Sequence, residues 1–191
     1  MELADLDQYR TAGPFPSNYD ANLRRFYTQD DDVHGVLKQV IGSVGKNGAR
    51  QSSLTIMMFG YDDDELNTMI LAYLADPTIS VEISLDKSQS GGVHEKAILA
   101  LDQKYEGNSI AIGTSAFGSQ ISHEKGVCVD DRFVIGGSTN WSLSGEGSGV
   151  KKQNNELTVF DSAVLAAEFK SQAHAAHLFM LNQMAAKAPA A

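Results

Sequence analysis

Short, nearly continuous apolar runs alternate along this chain with segments whose apolar residues recur at helical spacing. That alternation restricts the fold more than any other feature. "SLTIMMFG" from Ser53 has no polar face, the pattern of a strand buried on both sides. "ISVEISLD" alternates and reads as a strand; "SIAIGT", "GVCV", "RFVIGG" and "NELTVF" are further strand candidates, with a turn at Asp130 and Asp131. Between them, "DDDVHGVLKQVIGSVG" and "DDDELNTMILAYLADP" have helical periodicity with Asp residues placed as caps, and Pro77 stops the second. "HEKAILALDQKYEG" from His94 reads as a helix ended by Gly107, and 161–187 as a long helix striped by Leu165, Phe169, Ala173, Ala176, Met180 and Met184. Strands alternating with helices predict an α/β sandwich around one mixed sheet.

The 191 residues suit one domain able to bury its own core. The expected organisation is an irregular lead-in over 1–29 containing "GPFPSNY", a single domain over 30–187 and a frayed tail over 188–191. No apolar run reaches bilayer-spanning length, and "MELADLDQYR" lacks the basic-then-apolar order of a signal peptide, so a cytoplasmic location is expected. Cys128, the only cysteine, sits between Val127 and Val129 and reads as core. A formal net charge of -9 disfavours broad coating of nucleic acid but allows a local basic patch.

One stretch carries chemistry. "SHEKGVCVDDRFVIGGSTN" sets His123, Lys125, Asp130, Gly137, Ser138 and Asn140 in the register H-x-K-x4-D-x6-G-S-x-N. Residues two apart on a strand share a face, so His123 and Lys125 project together. Asp130 falls at the following turn, and the returning strand ends where Ser138 and Asn140 join the same pocket. Gly136 and Gly137 allow close backbone approach to a ligand. An imidazole, an ammonium, a hydroxyl and an amide form a donor set suited to phosphate oxygens.

This pattern resembles the phospholipase D superfamily in its short form with one motif per chain, similar to bacterial endonuclease-type phosphodiesterases. "QNNELTVFDSAVLAAEF" resembles that family's later Asn/Glu-containing strand and terminal helix. The resemblance implies an α-β-α sandwich and a two-step phosphodiester cleavage needing neither metal nor cofactor. His123 would attack phosphorus to form a covalent phosphohistidine, while a second His protonates the leaving oxygen. Lys125, Ser138 and Asn140 would bind the non-bridging oxygens, and Glu156 would orient His123. Asp130 would serve the structure. One motif supplies one His, so the resemblance implies a homodimer with its site at the two-fold interface.

Nucleic acid is the expected substrate, making the chain a nuclease. A phospholipid, through phospholipase D or cardiolipin-type hydrolysis, and a non-catalytic phosphate-binding module of the same fold are the alternatives. A basic groove around His123 favours the first and an apolar mouth the second. The earlier "HEK" at His94 lies in a helical context and lacks the register that follows His123. His174 and His177, three apart, read as solvated or interfacial. His34 follows a cap and receives no role. Trp141 reads equally as pocket lining and as core, and Lys151 and Lys152, in the Gly/Ser-rich loop of 142–153, as polyanion contacts or solvated surface.

Overall fold

Among the described residues, side-chain oxygens start three of the four α-helices. In the computed structural model, which describes residues 1–89, 91–102, 104–116, 120–147 and 152–186, Asp32 caps α1 (Val33–Ile41) by accepting from the Gly35 N–H. Asp63 caps α2 (Asp64–Leu74) through the Leu66 N–H, and Ser162 caps α4 (Ala163–Ala185) through the Leu165 N–H. The short α3 (Val93–Leu99) ends well before Gly107, because the chain turns at 100–102 and again over 104–107 instead of continuing the helix.

Among the described residues seven strands form one sheet. They are β1 (Leu23–Tyr27), β2 (Ser52–Met58), β3 (Ile79–Asp86), β4 (Asn108–Gly113), β5 (Lys125–Val129), β6 (Phe133–Gly137) and β7 (Glu156–Asp161), in the order β1-β7-β6-β5-β2-β3-β4. β2, β3 and β4 run parallel, with α2 and α3 as their crossovers. β5 returns antiparallel beside β2, and β6, β7 and β1 continue the antiparallel half. The mixed sheet flanked by helices is the fold class expected from the alternation.

One face buries Leu54, Ile56, Val81, Ile83, Val127 and Val129 under the apolar stripes of α1 and α2. Each such side chain contributes roughly 1.5–3 kcal/mol when fully buried. The opposite face carries Cys128 and Val134 against Ala166 and Phe169 of α4. His177 of α4 is also buried: Ser84 Oγ lies 2.9 Å from its Nδ1 and Ser109 Oγ 2.7 Å from its Nε2. Desolvation holds its pKa below the ordinary value. The expectation of a solvated role for it is corrected, since β3 and β4 each turn a serine toward the helix. His174 is exposed and meets Glu82 at 2.7 Å.

The expected irregular lead-in over 1–29 is corrected as well. Leu3–Tyr9 forms 3-10 turns that bury Leu3 and Leu6, and β1 pairs with β7 along the sheet's edge, burying Phe26. "LRRFY" has too few apolar residues to announce a strand; pairing partners fix it. The tail at 188–191 lies outside the described residues, as does Lys151. No helix among the described residues is long and apolar enough to cross a membrane.

The register places the C-terminal ends of β2, β3, β4 and β6 and the N-terminal ends of β5 and β7 on one edge. Met58 pairs with Lys125, and Gly137 with Leu157. Open α/β sheets place their ligands at such an edge.

Candidate active site

His123 and Lys125 meet around Phe59, the residue following β2. The Phe59 N–H donates to the Glu124 carbonyl at 2.9 Å, which fixes the entry of β5 to the exit of β2. The imidazole of His123, an exposed residue, lies 4.7 Å from the Phe59 ring, centroid to centroid. Lys125 is only 6% exposed, and its Nζ sits 5.0 Å over the same ring while donating to the His123 carbonyl at 2.8 Å. Burial pulls its pKa below the usual lysine value. Phe59 is the functional neighbour that sequence reasoning missed; its only signal was its place at the end of the apolar run.

Ser138 and Asn140 follow β6. Gly137 has φ +146°, and a Cβ there would run into the Glu156 carbonyl, so the position requires glycine. Beyond it, the Ser138 N–H donates to the Glu156 carbonyl at 3.1 Å and Ser138 Oγ accepts from the Glu156 N–H at 3.0 Å. The Thr139 hydroxyl donates to that carbonyl at 2.9 Å. Asn140 packs on Gly60, where a Cβ would lie 3.0 Å from the amide carbon, and its buried Oδ1 has no hydrogen-bond partner. Trp141 is core: it is 1% exposed, its N–H donates to the Gly60 carbonyl at 2.9 Å, and its ring lies 5.8 Å from Tyr61.

The structure does not gather every predicted residue. Asp130 stands at the opposite end of the sheet, accepting from the Gly45 N–H, the Asn47 amide and the Ser53 N–H at 2.8, 2.9 and 3.1 Å. With Asp131 it forms the left-handed pair, φ 51° and 55°, of the β5–β6 turn. Glu156 supports Ser138 and Thr139 through its backbone, but its carboxylate lies 3.4 Å from Arg25 Nε. Among the described residues no hydrogen bond joins it to His123. His94 begins α3 and approaches Asp64 at 3.1 Å.

Beside His123, a cavity of about 550 Å³ opens between the entry to β5 and α4. Ile121, Phe169, Phe179 and Met180 give it an apolar lining. The arrangement therefore presents an imidazole, an ammonium and an unpartnered amide oxygen at one edge, next to room for an apolar group.

Residues 47–176 match the protein family described as cardiolipin synthase, PLD-like domain. A search of curated proteins gives no match. Among solved structures, the chain is similar to NucT from Helicobacter pylori, with TM-score 0.61 and 19% identity over 83% of this chain and 97% of that one. It is also similar to Nuc of Salmonella typhimurium, a phospholipase D family member, with TM-score 0.58 and 19% identity over 81% and 92%. The phosphatidylserine synthase of Haemophilus influenzae aligns with TM-score 0.55 and 16% identity over 81% of this chain and 39% of its own. At these identities the structural likeness establishes the fold.

Proposed function

Because this chain belongs to the phospholipase D-like family, we propose that it cleaves phosphodiesters with His123 as nucleophile. The observation that carries the reading is the placement of a buried ammonium, Lys125, and the His123 imidazole around one aromatic ring. An unprotonated ring nitrogen of His123 attacks phosphorus, and the P–O bond to the leaving group breaks as that oxygen takes a proton from a second imidazole. Water then attacks the phosphohistidine, returning its proton to the second imidazole and freeing His123. Lys125 and Asn140 would gather the non-bridging oxygens, Asn140 through its amide N–H, with Ser138 beside them; no metal is assigned a step. Glu156 positions Ser138 and Thr139 through its main chain.

The second imidazole is proposed to be His123 of a second copy in a homodimer. The chain has five histidines, and the other four have their own partners: His34 with Glu146, His94 with Asp64, His174 with Glu82, and His177 between two serines. Nucleic acid is the proposed substrate, a reading supported by the single-motif form. The apolar cavity beside His123 favours a second reading, in which a phospholipid places its diester at His123 and a chain in the cavity.

Parallel assays on single- and double-stranded DNA, RNA, bis(p-nitrophenyl) phosphate and cardiolipin or phosphatidylcholine vesicles separate these readings. Rapid quenching should trap an acid-labile phosphate on His123, and His123→Ala should abolish turnover. Turnover that survives in His123→Ala refutes the nucleophile. Cleavage of vesicles alone selects the lipid reading, and binding without cleavage of any substrate selects a non-catalytic module.

A further inference from the structure

Away from the phosphate chemistry, three segments distant in sequence bring unlike metal-ligating atoms to one point. His34 comes from the first turn of α1, Asp63 caps α2, and Glu146 lies on the segment that follows Asn140. One ligand atom from each lies within 4.8 Å of the others. We propose that His34 Nδ1, Asp63 Oδ2 and the Glu146 carboxylate form a structural site for a divalent transition metal of the zinc or manganese class.

Three observations support the site. First, the Glu146 side chain has no exposed surface, and its Oε1 is buried without a hydrogen-bond partner while Oε2 meets His34 Nδ1 at 2.5 Å. A chelating carboxylate would use both oxygens. Second, Asp63 caps α2 with Oδ1, leaving Oδ2 turned to His34 Nδ1 at 3.5 Å. That is close to the ~3.4 Å between ligands of a tetrahedral ion with bonds near 2.1 Å. The His34–Glu146 pair would open by about 1 Å to admit the ion. Third, His34 Nε2 points at Glu65 Oε2, 3.6 Å away, the outer carboxylate that commonly orients a metal-bound imidazole.

One nitrogen and carboxylate oxygens suit zinc or manganese better than the all-oxygen shell preferred by calcium. The bound ion would tie both helix starts to the segment behind Asn140, whose neighbour Trp141 already accepts from the Asp62 N–H at 2.6 Å.

The test uses the full chain after dialysis against chelator, titrated by calorimetry with zinc and separately with manganese. One ion per chain is expected, raising the melting temperature by about 5–10 °C at a hundredfold excess over Kd. His34→Ala should remove the binding. Asp63→Asn, which keeps the capping oxygen and loses the anionic one, should weaken it at least tenfold in a chain that still folds. His94→Ala, which breaks the neighbouring contacts of His94 with Asp62 and Asp64, should leave binding unchanged. Absence of binding to folded wild type, or binding lost in His94→Ala and kept in Asp63→Asn, overturns the site and leaves a simple imidazole–carboxylate pair.

Discussion

Lys125 keeps its ammonium in a place that disfavours charge, over an aromatic face and donating to a main-chain carbonyl. A phosphate oxygen would add to the charge of Glu124, which only partly offsets the cost of burial. Replacing it by Met retains the buried stem, so Lys125→Met is expected to lower kcat/KM by ~10²–10³ with a melting temperature no lower than wild type. Steady-state kinetics and a thermal melt check both halves. Cys128 makes a different prediction. Burial pushes its thiol up to about 12 from an ordinary 9.0. Between those values the unfolded chain loses the proton and the folded chain keeps it, so this group destabilises the fold as pH rises from about 9, by at most ~1.4 kcal/mol per pH unit. Denaturant titrations of wild type and Cys128→Ala at pH 8 and 10 should show a smaller alkaline loss in the variant. That His123 and Lys125 stand at one end of a hairpin with Ser138 and Asn140 at its return was legible because strand lengths set the spacing. Phe59, Gly60 and the His34–Glu146 contact were not legible, since each depends on which segments the fold brings side by side.

At the scale of elements, the β5–β6 hairpin carries the fingerprint and both of its ends are constrained. Gly137 faces the Glu156 carbonyl at a φ that side chains avoid. Gly137→Ala should therefore cost about 1–3 kcal/mol and displace Ser138, lowering activity as well as stability. At the far end, Asp130→Ala leaves the donors of Gly45, Asn47 and Ser53 without their acceptor. An expected loss of ~2–4 kcal/mol, with kcat unchanged per folded molecule, separates a structural residue from the chemistry. Equilibrium unfolding and kinetics on the same samples decide it. Helix starts were readable from Asp32 and Asp63 because a cap is a local event. β1 was not, because a short strand containing two arginines owes its existence to β7.

For the whole molecule, the organisation differs from the expected boundary at residue 30. Deleting 1–29 would remove β1, unpair the outer side of β7 and strip Leu3, Leu6 and Phe26 from the core. The truncated chain is expected to lose its cooperative thermal transition, as followed by circular dichroism. The proposed shared site predicts that activity falls more steeply than protein concentration on dilution; constant specific activity at concentrations where sedimentation shows only monomer would contradict it.

The placement of Asp130 has a consequence for how the fingerprint reads. Lys125 stands at one rim of the sheet and Asp130 at the other, and Gly137 brings the chain back beside Lys125. The intervals between the motif's residues are thus a ruler. They record an outward and a return crossing of a sheet ~17 Å deep, at ~3.3 Å per residue. Adding one residue to either crossing would turn its later side chains to the other face. What the pattern sets at its middle is therefore a length and not a reactant. A chain that kept the distance with another turn would keep the site.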